Sequence, residues 1–339
     1  MAELNIQKIQ LDHGSGGSAS HQLITKLFLP TFDNPWLRQM DDSAQLSIGN
    51  KRIAFSTDTF VVSPIFFPGG DIGDLAINGT VNDIAMSGAN PLYLSIGMII
   101  EEGFPIDSLH RILQSMKKAA QKANVQIVTG DTKVMPSGKL DGIAINTSGM
   151  GIITSDCHIS ANRAQTGDKI IISGTIADHG ITILTQRDNL MIEGDIQSDT
   201  APLNELVLQM ITVCKDIHVL RDPTRGGITS VLNEIAHQSG VEIEIQEDAV
   251  PIKPEISACC ELFGFDPFSI ANEGKLIAFV PASSVDQVLS VMHRHPLATQ
   301  ASVIGSVISD NNPVVYVKTS IGGKRLMHMQ VGDQMPRIC

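Results

Sequence analysis

Acidic residues recur beside small or hydroxyl residues at the ends of predicted strands. They are Asp41 and Asp42 in MDDSAQL, Asp58 in STDTF, Asp83 in TVNDIAMSGA, Asp131 in VTGDTK and Asp222 in RDPTRGG. A carboxylate at a strand end is positioned by the sheet and open to solvent. Several converging make a hard oxygen site for Mg²⁺, which binds phosphates through a few carboxylates and waters. Taken singly, each has a plainer reading as a helix cap or turn residue. Asp83 is the most pointed, because it falls inside an apolar helical pattern where Asp is a poor helix former. Its plainer reading is an exposed helix face. Asp71 and Asp74 open the same helix, where negative charge suits the helix N-terminus.

Two glycine loops can approach a phosphate closely. One is His13-Gly14-Ser15-Gly16-Gly17, and the other is Thr224-Arg225-Gly226-Gly227, just ahead of a predicted helix. Backbone N–H groups at a helix start attract anions. Neither loop is a P-loop, since no GxxxxGK[ST] occurs. Lys133 follows Asp131-Thr132 and has the length to reach a phosphate or a reacting carbonyl; the alternative is a solvated turn lysine. Glu273 in IANEGK occupies a polar notch before an apolar strand, where a carboxylate serves as a general base or caps the turn.

Cys339 is the last residue of the sequence. A prenylation box is excluded because the fourth residue from the end is Pro336. A terminal carboxylate disfavours the thiolate and Arg337 favours it, so the thiol reads as a carrier more than as a strong nucleophile. Gly332 and Pro336 discourage regular structure, which makes residues 331–339 a flexible tail able to extend on the order of 30 Å. That reach is enough to enter a cleft elsewhere on the protein.

The elements that must hold these groups follow from periodicity. Residues 11–20, rich in Gly and Ser, read as a mobile loop. Strands are predicted over 44–48 and 52–56, a helix over 73–88, a strand over 92–100, an amphipathic helix over 107–123, and strands over 125–128 and 142–153. A similar order returns later: helix 226–239, strand 241–245, an inserted stretch, strand 275–280, helix 285–293 and strand 301–307. The pattern implies two α+β domains of similar plan, 1–155 and 156–330, joined near 155–167, with the tail beyond. Sheets of this kind can leave ATP at a domain or subunit junction.

Hydrophobic residues make up 42% of the chain and charged ones 18%, enough for a sizeable core and too apolar for disorder. Aromatics are only 4%, so that core is mostly aliphatic. A formal net charge of −12 argues against a nucleic-acid binder. No signal peptide or membrane span is expected. Five cysteines without metal-ligand spacing suit free thiols in a reducing cytoplasm.

The motifs LDHGSGG, DDSA, STDTFVVSPIFFPGGDIGDLAINGTVNDIAMSGANPLYLS, VTGDTKV, RDPTRGG, ANEG and the terminal PRIC closely resemble those of the hydrogenase maturation factor family HypE. That family lies in the superfamily of aminoimidazole ribonucleotide synthetase and selenophosphate synthetase. The resemblance spans essentially the whole chain and is most specific over 56–95 and in the ending. It implies a two-domain α+β, PurM-like fold, each domain a mixed sheet with helices packed on it. It also implies homodimers formed through the N-terminal domain, with ATP near that interface. A carbamoyltransferase, HypF, would load a carbamoyl group on Cys339. ATP-dependent dehydration would turn the thiocarboxamide into a thiocyanate, and the cyano group would pass to iron held by HypC and HypD.

On this resemblance Asp42, Asp58, Asp83, Asp131 and Asp222 are assigned to Mg²⁺ and ATP, joined at the nucleotide by Thr132, Thr224, Gly226 and Gly227. Lys133 and Glu273 are assigned to activating and deprotonating the carbamoyl group on Cys339, with the base left open between them. Rival readings are a selenophosphate synthetase, a thiamine-phosphate kinase or a non-catalytic nucleotide-sensing module. The first lacks the expected reactive Cys near the N-terminal glycine loop; the last does not account for Lys133, Glu273 and Cys339 together.

Overall fold

The computed structural model describes residues 8–154, 156–187, 194–310, 312–329 and 338–339. In chain order the first half contains α1 (Ser18–Leu23), α2 (Leu29–Phe32), β1 (Ala44–Ile48), β2 (Lys51–Phe60), the short ribbon β3 (Phe66–Phe67) and β4 (Gly70–Asp71), α3 (Ile72–Met86), β5 (Ala89–Glu101), α4 (Ile106–Ala123), β6 (Gln126–Met135) and β7 (Ile143–Ile153). The second half contains β8 (Lys169–Ile172), α5 (Asp178–Arg187), α6 (Asn204–Val213), β9 (Val219–Arg221), α7 (Gly227–Ser239), β10 (Glu242–Gln246), α8 (Pro254–Phe263), β11 (Ile277–Val280), α9 (Val285–Arg294), β12 (Ser302–Ser309), β13 (Val314–Lys318) and β14 (Lys324–Leu326).

The first half folds its strands into one sheet in the order β1-β2-β7-β5-β6, and the second into another in the order β14-β13-β10-β12-β8-β11-β9. Each sheet is antiparallel except for one parallel pair, β5 with β6 and β10 with β13. Mixed sheets carrying helices are the expected α+β class. No helix among the described residues is long and apolar enough to cross a membrane.

Helix α3 is the hinge of the site. Asp71 caps its first turn by accepting from Gly73 N and Asp74 N, and Asp74 reciprocates to Asp71 N. This is the helix-end role anticipated for both residues. The helix packs against β2, β5 and β7 on one side and against α6 and β9 of the second half on the other. Every residue of α3 except Asp74 and Asp83 is therefore buried. Small residues permit the close packing: a Cβ on Gly79 would stand 2.8 Å from the Phe60 ring, and one on Gly73 would stand 2.6 Å from the Ile112 carbonyl oxygen.

Three local expectations need correction. Residues 11–20 are not a loop throughout: Leu11–Gly14 forms a 3₁₀ turn and α1 begins at Ser18. The predicted strand 125–128 runs on to Met135 as β6, so Asp131, Thr132 and Lys133 lie in mid-strand. Asp58 likewise lies inside β2, two residues short of its end. Most of the proposed tail, 331–337, and Ser155 in the proposed linker lie outside the described residues.

Candidate active site

Carboxylate oxygens of Asp42, Asp83 and Asp222 lie within 4.8 Å of one another. Three separate segments bring them together. Asp42 precedes β1, Asp83 faces out of α3 and Asp222 follows β9. Ser56 on β2 ties the first two, donating to Asp83 Oδ2 at 2.6 Å with its Oγ 3.0 Å from the Asp42 carbonyl oxygen. Burial pushes Asp42 and Asp83 well above the usual carboxylate range, and mutual repulsion adds to the rise. Asp222 is pushed up to about 6, also chiefly by burial.

Arg221 partly offsets this charge. Its Nε is 2.8 Å from Asp42 Oδ1, while its Nη2 is 2.9 Å from Glu234 Oε2. Asp42 Oδ2, buried beside Asp83 and Asp222, has no hydrogen-bond donor among the described residues. An all-oxygen trio with an unpaired buried lone pair fits a hard divalent cation such as Mg²⁺, not a soft metal.

The two glycine loops face each other. Arg225 Nη1 donates to the Gly14 carbonyl at 3.0 Å, and Ser230 Oγ donates to the Gly16 carbonyl at 3.1 Å. Gly226 and Gly227 adopt φ of +76° and +57° at the start of α7. A Cβ on Gly227 would stand 2.5 Å from the Phe268 carbonyl oxygen, so the turn accepts only glycine. Thr224 stabilises the same turn by accepting from Gly227 N at 2.9 Å. Arg225 then points toward Asp58, its Nη2 3.9 Å from Oδ1.

Glu273 is held by its backbone. Its N–H donates to Asp199 Oδ1 at 3.1 Å, and Gly274 N donates to Asp199 Oδ2 at 3.3 Å. Lys275 Nζ is 3.1 Å from the same carboxylate. Asn82 of α3 reaches the Glu273 carbonyl at 3.3 Å and the Ala201 carbonyl at 3.1 Å. The Glu273 side chain is buried, and Oε1 has no hydrogen-bond partner among the described residues. Burial, with Asp199, Asp58 and Asp222 adding repulsion, raises its pKa well above normal.

Cys339 is buried in this cleft, the kind of seat that the reach of the tail allowed. β1 pairs only with residues 51–55 of β2, so among the described residues no strand follows along that edge. Beyond it, Val61 N donates to a main-chain carboxylate oxygen of Cys339 at 3.2 Å. Burial pushes the thiol pKa far up; Arg225 opposes the rise, while Glu273 and Asp58 add to it. The seated thiol is therefore protonated near neutrality. The charges that face it are Arg225, Glu273 and Asp58; the expected influence of Arg337 falls outside the described residues.

Residues 40–153 match the AIR synthase related protein N-terminal domain and 165–318 match the corresponding C-terminal domain. The carbamoyl dehydratase HypE of Azotobacter vinelandii is 47% identical over the whole of both chains. The chain belongs to the HypE family. A crystal structure of HypE in complex with ATP superposes with a TM-score of 0.83 at 49% identity, covering 98% of this chain and all of that one. HypE in a HypE–HypF complex superposes with a TM-score of 0.87 at 44% identity, covering 91% of this chain and 99% of that one.

Within this HypE fold the anticipated residues divide into two groups. Asp42, Asp83 and Asp222 form the trio, and Asp58, Thr224, Gly226, Gly227, Glu273 and Cys339 surround the adjoining cleft. Asp41 instead joins the halves, accepting from Ser160 Oγ at 2.7 Å and Ala161 N at 2.9 Å. Asp131, Thr132 and Lys133 do not join the trio within one chain, contrary to the five-carboxylate expectation. Their strand is the sheet edge, three strand spacings or about 14 Å from β2. Register also puts Asp131 opposite Gly97, in line with Asn146 and Thr59, on the face turned away from α3. Lys133 Nζ rests 3.2 Å from Asp131 Oδ2, both side chains exposed.

Sequence reasoning missed Arg225, Asn82 and Asp199 as site residues. Arg225 stood inside a quoted glycine loop whose backbone drew the interpretation. Asn82 and Asp199 carry no local signal, because their partners lie far along the chain.

The trio has a measurable consequence. An Asp whose folded pKa is raised binds its proton more tightly folded than unfolded, so stability falls as pH rises between the two values. For Asp222 that window runs from the ordinary 3.8 to about 6. Asp42, Asp83 and Glu273 are shifted the same way and extend the fall upward. In EDTA the thermal midpoint should drop from pH 5 to pH 7, and millimolar Mg²⁺ should flatten the drop. An identical slope with and without Mg²⁺, followed by scanning fluorimetry, would rule out the trio as a cation site.

Proposed function

We infer that this chain dehydrates a carbamoyl group on its own Cys339 with ATP. The observation that carries this reading is the seat of Cys339 itself: the thiol lies between Glu273 and Arg225, next to a carboxylate trio suited to a divalent cation. The carried group is a thiocarboxamide, –S–C(=O)–NH₂. Its oxygen takes the γ-phosphoryl group of ATP, its nitrogen gives up its protons, and the C–O bond breaks as C≡N forms. The products are the thiocyanate, ADP and inorganic phosphate. Glu273 Oε1, unpartnered and raised in pKa, takes a nitrogen proton. Arg225 supplies positive charge where the transferred phosphoryl oxygens carry negative charge. Asp42, Asp83 and Asp222, with Asp58 beside them, would hold Mg²⁺, which when bound neutralises phosphate charge.

The reading also includes partners. A carbamoyltransferase of the HypF kind loads Cys339, and HypC–HypD receives the cyano group on iron. A cytoplasmic location suits the five cysteines, all of them free and buried. We further infer a homodimer built on the first sheet, with ATP near the interface. Phe55, Met150 and Tyr93 align across β2, β7 and β5 and are all exposed on the face away from α3, an apolar row that a second copy would cover. Lys133 lies on that same face, in line with Ile99. A second copy's Lys133, not the chain's own, is then the one that serves the cleft.

The test is direct. The protein is incubated with the carbamoyltransferase, carbamoyl phosphate and ATP, and the C-terminal peptide is weighed. The expected result is a carbamoyl adduct on Cys339 followed by loss of one water. Cys339→Ala should abolish both changes while ATP binding persists. An unmodified tail with an active transferase would refute the function, and lost ATP binding in Cys339→Ala would refute the separation of carrier from nucleotide site.

A further inference from the structure

The seating of the C-terminus depends on its penultimate residue. His179, the second residue of α5, is fully buried. Its Nε2 lies 2.7 Å from the Ile338 carbonyl oxygen, and its Nδ1 lies 2.8 Å from Ser198 Oγ. A carbonyl only accepts, so Nε2 carries the hydrogen and donates it. Burial holds the ring neutral, so Nδ1 accepts from the Ser198 hydroxyl. Ser198 Oγ in turn accepts from Thr200 N at 3.2 Å. The edge-on Phe67 ring, with centroids 5.6 Å apart, braces the imidazole from the side. With the tail seated, the ring is thus fixed in tautomer and orientation.

The side chain of Ile338 has its own place. It is only 6% exposed and belongs to the core cluster that holds Phe60, Val62, Ile183 and Ala271. The neighbour of His179 makes the room: a Cβ on Gly180 would stand 3.1 Å from Ile338 Cδ1 and 2.4 Å from Ile270 Cγ2. A chain end offers no covalent reason for such burial. A buried apolar side chain and a charge-free hydrogen bond hold it instead.

None of these contacts uses the sulfur. The tail is gripped by the Ile338 side chain, the Ile338 carbonyl and the Cys339 main-chain carboxylate, the last through Val61 N. On the function proposed above, Cys339 passes through three states: free thiol, thiocarboxamide and thiocyanate. A grip on the sulfur would hold one state and release the others. A grip one residue back serves all three and leaves the carried group to face Glu273 and Arg225. Burial of the thiol also means that a transferase cannot reach it while seated, so loading needs this same grip to open.

We propose that His179 and the Gly180-lined socket form a latch for Ile338, a positioning device that seats Cys339 in the cleft whatever group it carries. His179 touches no reacting atom. It acts through the tail, and the latch sets the balance between a seated, reacting Cys339 and a released one open to a partner.

Thiol accessibility tests this without ATP or partners. The full-length protein is pulsed with iodoacetamide, and alkylation of Cys339 is read from the mass of the C-terminal peptide. Wild type should react slowly. Ile338→Ala removes most of a buried side chain and should raise the rate about tenfold. His179→Ala should raise it similarly, and His179→Gln, whose amide can still donate to the Ile338 carbonyl, should recover part of the protection. Ile338→Ala lies at the chain end and should leave the thermal midpoint near wild type, so it decides the matter even where His179→Ala unfolds. Wild-type alkylation in Ile338→Ala overturns the latch. Because the assay requires no dehydration, it stands or falls separately from the function: faster alkylation in Ile338→Ala, beside a wild type that never forms thiocyanate, would sink the function and leave the latch. Where both hold, Ile338→Ala should slow single-turnover dehydration without slowing carbamoylation.

Discussion

Glu273→Gln is expected to slow dehydration of pre-carbamoylated Cys339 by about 10²- to 10⁴-fold, the usual worth of a positioned general base. The substitution keeps the size of the side chain. It also keeps the backbone grip of Asp199 on residues 273 and 274, so the turn should stay in place. What it removes is the capacity of Oε1 to accept a proton in a cleft where burial and three neighbouring carboxylates have raised its affinity for one. The rate in wild type should rise with pH through the raised pKa, because only the ionised carboxylate accepts. That limb should vanish in the variant. ATP affinity should be unchanged, since Glu273 is not part of the trio. Rapid quenching of a single turnover, with the C-terminal peptide weighed at each time, gives the rates. A variant within a few-fold of wild type would remove Glu273 from the chemistry and leave a lysine as the candidate base.

The pattern of what could be read beforehand has physical causes. Helix α4 was legible because one face is solvated, so the 3.6-residue period shows. Helix α3 was legible only as a helix. It is buried on all sides, and periodicity cannot say which way Asp83 points when no face is solvent. The residue types of the trio were legible, but positions 42, 83 and 222 meet only once two sheets are packed on α3. Strand β6 was cut short because Gly130 and Asp131 read as a turn. Pairing with β5 overrides that preference: a Cβ on Gly130 would stand 2.6 Å from the Ile96 carbonyl oxygen, so the glycine is there for close strand contact. Helix α5 was missed for a similar reason, since Gly180 and β-branched residues weaken its helical signal while burial hides its period. His179, Asn82 and Asp199 act across 74 to 191 residues of sequence. No local window contains such partners.

Mixed dimers should separate a lysine acting within its own chain from one acting on its neighbour. Within one chain, Lys133 is three strands from the edge that receives Cys339 and on the face away from α3, so it cannot serve its own cleft. Lys133→Ala and Glu273→Gln homodimers should each be inactive. In a two-fold dimer each cleft would combine Glu273 and Cys339 of one copy with Lys133 of the other. Pairing a Lys133→Ala chain with a Glu273→Gln chain then leaves one cleft wholly intact: it takes Glu273 from the first chain and Lys133 from the second. The other cleft loses both groups. Activity should return to about half that of wild type per dimer. If Lys133 served its own chain, every cleft in the mixed dimer would lack one group, and activity would stay at the level of the parents. Differential tags isolate the mixed species, and thiocyanate formation on Cys339 is the readout. An active Lys133→Ala homodimer would exclude the residue altogether. A silent mixed dimer would require Lys133 to reach its own cleft, against the sheet order that places it at the far edge.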